Sequence, residues 1–248
     1  MIQIEGLRKR FGDHEVLSGV DLTVEKGETM VILGRSGEGK SVLLKLVIGL
    51  LKPDGGRVLV GGEAVPYDDN EALCRLRRKF GMLFQGSALF DSLTVGENVG
   101  LGLSEHTRLA GGEIARRVDE KLRTVGMEGV ERLKPAELSG GMKKRVGLAR
   151  AIAMDPEYVL YDEPTTGLDP VMGDVINNLI RELQQKLKAT SIAVTHDIVS
   201  AYRIADRIAL LEEGRIVHVG TVEQTASSRN PRVRQFVEGR GNRVAASG

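Results

Sequence analysis

The segment Gly34-Arg35-Ser36-Gly37-Glu38-Gly39-Lys40-Ser41 leaves this chain few folds to choose from. It fits G-x-x-x-x-G-K-S, a pattern whose mechanism needs a buried strand before it and a helix after it. Both flanks are legible. Thr29-Met30-Val31-Ile32-Leu33 is almost continuously apolar, as expected of a strand covered on both faces in a parallel sheet. Residues 40–51 then read as a helix, closed by Lys52-Pro53-Asp54-Gly55-Gly56. Glycines let backbone N–H groups turn inward around phosphate oxygens, and the helix start adds partial positive charge. Lys40 is placed to reach the β- and γ-phosphates and Ser41 to ligate Mg²⁺, so the loop predicts ATP binding.

A second element belongs beside it. Tyr158-Val159-Leu160-Tyr161-Asp162-Glu163 ends an apolar run on two carboxylates, and ligands of open α/β sheets sit beyond the carboxyl ends of the strands. Asp162 suits a Mg²⁺ shell. Glu163 would then lie near the γ-phosphate, placed to orient or deprotonate an attacking water. Alone, the pair reads as an acidic turn closing a strand; the phosphate loop in the same chain reverses that.

The rest of the chain is organised around these two points. Residues 2–7 and 16–24 read as strands separated by the turn-like Gly12-Asp13-His14, and residues 57–60 as a further strand. From about Gln85 to Ala153 the pattern is mostly helical, with one helix over residues 113–125 and a long one from Gly140-Gly141 to about Met154. Strands are expected at 158–161 and 191–194 around a helix at 171–188, then a hairpin of 207–211 and 215–219 about Glu213-Gly214. Pro231 opens a short helix expected over residues 230–239, and residues 242–248, small and polar, are expected to fray. That order is α/β with a helical insertion.

Composition narrows the partners. Lys plus Arg number 35 against 34 Asp plus Glu, so no global field selects nucleic acid. The one cysteine, Cys74, excludes a disulfide framework and fits a reducing compartment. No basic-then-apolar leader opens the sequence, and the longest apolar stretch, residues 42–51, is interrupted by Lys45 and too short to span a bilayer. Any role at a membrane must therefore be exercised through a partner.

Leu138-Ser139-Gly140-Gly141-Met142, a short helix ahead of Asp162, decides among phosphate-loop proteins. It resembles the signature motif of ATP-binding cassette (ABC) ATPases, again an anion site with a serine hydroxyl, unencumbered backbone N–H groups and a helix start. Other elements resemble that family in order. Phe11 matches the aromatic residue that stacks on adenine, and Gln85 the glutamine that senses Mg²⁺, water and the permease. Gly167-Leu168-Asp169 matches the loop that crosses between subunits, and His196 the switch histidine at the γ-phosphate.

The resemblance covers residues 2–220. It implies a P-loop, RecA-like core with an N-terminal antiparallel β subdomain and a helical subdomain inserted at about 86–154, followed by an extension over 221–248. It also implies two copies paired head to tail around two ATP molecules. The implied catalytic set is Glu163, His196, Lys40 and Gln85, with Ser41, Gln85 and Asp162 at the metal. The implied nucleotide contacts are Phe11, Val16, Gly34, Arg35, Ser36, Gly37, Glu38, Gly39, Lys40, Ser41, Val42, Gln85, Asp162 and His196 from one copy, and Ser139, Gly140, Gly141, Met142 and Asp169 from the other.

Narrower features follow. Met142 stands where most cassettes have Gln, and Met142-Lys143-Lys144-Arg145-Val146 looks like the Mla (maintenance of lipid asymmetry) and Mce-associated ATPases. So do Gly81-Met82-Leu83-Phe84-Gln85-Gly86-Ser87-Ala88-Leu89-Phe90, Leu103-Ser104-Glu105-His106-Thr107 and Asn230-Pro231-Arg232-Val233-Arg234-Gln235-Phe236. Membership implies powering phospholipid transport in the bacterial envelope. The implied location is peripheral, on the cytoplasmic face of the inner membrane. The implied partners are an integral-membrane permease and lipid-binding Mce-type and accessory subunits, with no nucleic acid. A cassette serving another cargo, such as amino acids, metals or lipoproteins, is the alternative. Glu38 departs from the small residue common in the loop, and the sequence offers no purpose for it.

Overall fold

The computed structural model describes residues 1–238, so the expected fraying of 242–248 and the last residue of the expected 230–239 helix lie outside the described residues. The chain opens with β1 (Ile2–Phe11), β2 (His14–Val24) and β3 (Thr29–Leu33), followed by α1 (Lys40–Val47), β4 (Gly55–Val60) and the two-residue β5 (Glu63–Ala64). Next come α2 (Asn70–Arg77), β6 (Phe80–Leu83), α3 (Val95–His106), α4 (Gly111–Thr124) and α5 (Gly140–Ala151). The remainder alternates: β7 (Tyr158–Asp162), α6 (Pro170–Leu187), β8 (Thr190–Thr195), α7 (Ile198–Ile204), β9 (Arg207–Glu212), β10 (Arg215–Thr221), α8 (Val222–Ala226) and α9 (Pro231–Val237).

Two sheets result. One is antiparallel, in the order β2-β1-β4-β5; the other runs β10-β9-β3-β8-β7-β6, parallel except for β10 at its edge. The parallel strands are buried on both faces, and the two-residue period of a strand divides their side chains between two cores. Val31, Leu33, Val159, Tyr161, Ala193, Ile208 and Leu210 face the helices α3 to α7. Met30, Ile32, Tyr158, Leu160, Ile192, Val194, Ala209 and Leu211 face α1, α2 and the antiparallel sheet. The continuously apolar runs in the sequence are this double burial.

The helix expected over 40–51 ends sooner, at Val47. Gly49 takes φ 71°, a left-handed turn that glycine enters without penalty, and a Cβ there would lie 2.4 Å from Leu73 Cδ2. The close approach lets α2 pack its one buried residue, Leu73, over the end of α1.

The helical block is also more divided than its sequence pattern suggests. Before it stand α2 and β6, and inside it α3, α4 and α5 are separate helices packed on one another. α5 lies close on β6: a Cβ on Gly81 would sit 2.0 Å from the Ala151 carbonyl oxygen, and one on Gly147 2.7 Å from Leu83.

Candidate functional site

Neighbouring strands of the parallel sheet deliver the site from their carboxyl ends. β3 runs into the glycine loop, β7 ends on Asp162 with Glu163 next, β8 ends on Thr195 with His196 next, and β6 leads into Gln85. Loop, carboxylates and histidine therefore meet because the sheet order puts β3, β8, β7 and β6 side by side.

The loop folds tightly. Gly39 has φ 93°, and a Cβ there would lie 2.7 Å from Val16 Cγ1; a Cβ on Gly34 would lie 2.7 Å from the Leu211 carbonyl oxygen. Lys40, 6% exposed, donates to the carbonyls of Gly34 at 2.8 Å and Arg35 at 2.9 Å, curling its ammonium over the loop. Glu38, whose purpose the sequence left open, has a structural partner. Its Oε2 accepts the Glu213 N–H at 2.7 Å, fastening the loop to the turn between β9 and β10.

Asp162 and Ser41 form one pair. The serine hydroxyl donates to Asp162 Oδ1 at 2.7 Å, and burial pushes the aspartate carboxyl up, offset first by that hydrogen bond. Two hard oxygen donors joining helix start to strand end fit Mg²⁺, which binds through few protein ligands and completes its shell with water and phosphate.

Glu163, 7% exposed, is the most heavily engaged group. Its Oε1 lies 3.4 Å from Lys40 Nζ. Its Oε2 accepts from Thr166 Oγ1 at 3.0 Å and Thr195 Oγ1 at 3.4 Å, and meets His196 Nδ1 at 2.9 Å. The backbone is as constrained: φ is 47°, the N–H donates to Val194 O, and the carbonyl accepts from Lys144.

These groups share a cleft of about 530 Å³, lined by Phe11, Val16, Ser36, Gly37, Gly39, Lys40, Ser41, Val42, Gln85, Glu163 and His196 of the sequence-predicted set. Phe11, 47% exposed, stands at this cleft, and Lys9 Nζ lies 5.4 Å from its ring centroid. Gly34, Arg35, Glu38 and Asp162 support the cleft without lining it.

Ser139, Gly140, Gly141 and Met142 do not join this cleft. Ser139 caps α5, accepting the Met142 N–H at 3.3 Å, and is exposed with Gly140, while Met142 packs partly on the helix-side core. Asp169 caps α6 through the N–H groups of Val171 and Met172 and lines a second cleft of about 440 Å³, which shares Thr166 and His196 with the first.

Sequence reasoning missed several participants. His14 and Thr166 line the main cleft, and Thr195 holds the glutamate. Lys144 is 4% exposed and reaches the carbonyls of Gln85 and Glu163; burial lowers its pKa, partly offset by the Asp162 and Glu163 charges. A signal for Lys144 existed in its phase, since it lies three and four residues from Gly141, Gly147 and Leu148 on the buried face of α5.

A model of the ABC transporter family matches residues 17–166. The probable ribonucleotide transport ATP-binding protein mkl of Mycobacterium tuberculosis (H37Rv) is 42% identical over 239 residues, covering 96% of this chain and 67% of that protein. The intermembrane phospholipid transport system ATP-binding protein MlaF of Haemophilus influenzae is 41% identical over 239 residues, covering 96% of this chain and 90% of MlaF. A solved dimeric, post-hydrolysis state of the ATP-binding cassette MJ0796, bound to ADP and Pi, matches with a TM-score of 0.82 at 34% identity, covering 90% of this chain and 99% of that one. With its phosphate loop, serine-glycine helix start and paired carboxylates in that order, this chain belongs to the ABC transporter family as an ATP-hydrolysing cassette.

Proposed function

We propose that the chain powers phospholipid movement between membranes of the bacterial envelope, as one of two identical cassettes beside a separate permease on the cytoplasmic face of the inner membrane. The observation that carries the ATPase reading is the meeting of Lys40, Ser41 and the Glu163–His196 pair in one cleft, with Asp162 outside its lining accepting the Ser41 hydroxyl. Residues 1–220 act as the cassette, with the helical subdomain at 86–154 inserted and 221–248 as an extension. The lipid reading is supported by the likeness to MlaF along most of both chains.

Each side chain has a task. The loop N–H groups and Lys40 hold the β- and γ-phosphates, and Phe11 offers its face to the adenine. Ser41, Asp162 and Gln85 hold Mg²⁺, which, when bound, neutralises charge on the phosphates. Glu163 accepts the proton of the attacking water while Thr166 and Thr195 keep its carboxylate aimed. His196 steadies the γ-phosphate from the far side. Catalysis is geometric and electrostatic: the second copy's Ser139 helix start supplies the remaining phosphate donors and excludes water.

The permease is expected at a groove of about 630 Å³ lined by Leu50, Arg78, Phe84, Phe90 and His106 among others. Phe90 is 51% exposed there, whereas Leu89 turns inward onto the helix-side core. Among the described residues no helix is long and apolar enough to cross a membrane.

The ATP cleft does not touch cargo, and the relative mkl carries a ribonucleotide-transport name. Cargo is therefore what an experiment must decide. Purification with the products of neighbouring genes, followed by mass spectrometry of co-purified small molecules, is expected to return phospholipid together with a lipid-binding subunit. Recovery of nucleotides or amino acids at stoichiometric levels would replace the lipid reading.

A further inference from the structure

Lys144 places an ammonium in the interior, 4% exposed, on the face of α5 that packs against β6. A charge in such a place is costly unless its donors are satisfied. Its hydrogen-bond partners are two main-chain carbonyls: Gln85 O at 2.6 Å and Glu163 O at 3.1 Å. Those carbonyls follow β6 and β7, adjacent strands of the parallel sheet, at the two points where the cleft takes its glutamine and its glutamate. Six residues further along the same helix, Arg150 donates to Ser87 O at 2.6 Å and Ala88 O at 2.7 Å. α5 therefore grips the loop after β6 at three carbonyls and the Glu163 peptide at one, and the same helix starts at Ser139.

Glu163 needs such a grip. At φ 47° a non-glycine residue occupies a left-handed region that its Cβ disfavours, so the conformation persists only where both peptide groups are held. Val194 O holds the N–H, and Lys144 holds the carbonyl. A neutral apolar side chain matching the lysine stem would fill most of the volume and leave both carbonyls without this donor.

We propose that Lys144 is a positioning residue for ATP hydrolysis, a buried ammonium that ties the Glu163 peptide and the Gln85 loop to the helix beginning at Ser139. A displacement of the loop at residues 85–90 then reaches the base through α5, and the base, the glutamine and the serine-glycine helix start shift together. This rests on Glu163 as the base.

The test is steady-state ATPase and fluorescent-nucleotide binding on the intact chain. Lys144→Met, which keeps the unbranched apolar stem and loses the ammonium, is expected to lower kcat by about tenfold or more while KM and nucleotide Kd stay within about twofold and the melting transition is retained. Lys144→Gln, of the same length as methionine but with an N–H donor, should recover part of kcat, and Lys143→Met, one residue away, should retain it. An unchanged kcat in folded Lys144→Met overturns the proposal, as does a loss of nucleotide affinity that parallels the loss of kcat. If Lys144→Met does not fold, the same readings on Lys144→Gln decide; if neither folds, Lys144 is a stability residue and the proposal fails. Glu163→Gln run alongside separates the two ideas: hydrolysis surviving in that variant removes the base itself, whereas its loss with full activity in Lys144→Met removes only the positioning role.

Discussion

Glu163 concentrates the chemistry of the site into one residue. Its carboxylate meets an ammonium, two hydroxyls and an imidazole, which together fix where its two oxygens point. Replacing it with Gln keeps the size and removes the basic oxygen. Glu163→Gln is expected to lower steady-state hydrolysis by about a hundredfold or more while ATP-bound dimer accumulates, read by phosphate release and by size-exclusion chromatography with ATP. Hydrolysis at the unmodified rate would take Glu163 out of the role. Lys40, Ser41, Asp162 and Glu163 were legible because loop and strand end are local patterns in which spacing carries the geometry. Thr195, Thr166 and Lys144 were not, since their roles come from the sheet order and from the packing of α5, neither of which any short window contains. Glu38 belongs with them: its partner, Glu213, is 175 residues away.

Among the elements, those with a strong period came through and those with a thin apolar face did not. β3 and β7 were visible as apolar runs. α2 buries only Leu73, so its one sequence signal is the Asp69 cap, which accepts the N–H groups of Glu71 and Ala72. α3 carries Gly96, Gly100 and Gly102, each unfavourable in a helix by roughly 1 kcal/mol relative to Ala. A capping box between Thr94 and Glu97 marks its start nonetheless. α9 was expected from Pro231, and its anchoring is now specific. Val233 is 2% exposed in the helix-side core, and Arg232 lies 3.3 Å from Glu212 of β9. The arginine of that ion pair is more than half exposed to solvent, so screening limits what the pair contributes; the buried valine contributes most. Ending the chain after Ser228 is expected to lower stability by about 1–3 kcal/mol, seen as a lower midpoint in thermal or urea unfolding, through loss of that apolar burial. A truncated chain with an unaltered midpoint would show α9 to be a passenger.

At the scale of the whole molecule, the proposed function divides the phosphate donors between two copies. Lys40, Glu163 and His196 line the cleft with Phe11, but Ser139 and Gly140 lie outside it, exposed at the start of α5. Ser139 presents a helix start to solvent, which suits it to an anion brought by another molecule. In the proposed twofold pair both copies would be satisfied at once, because a self-complementary surface would give each cleft the serine of the other. Complementation tests this arrangement directly. Lys40→Ala removes the loop ammonium and Ser139→Ala the helix-start hydroxyl, so either variant alone should form pairs with two defective sites. Mixed, they form heterodimers in which both defects fall in one site and the other is intact. If each site turns over on its own, an equal mixture is expected to regain about a quarter of unmodified activity, since half of randomly assorted pairs are mixed and each mixed pair has one working site. Phosphate release that stays at the level of the separate variants at every mixing ratio would mean that Ser139 serves its own chain, and the second copy would have no part in the chemistry.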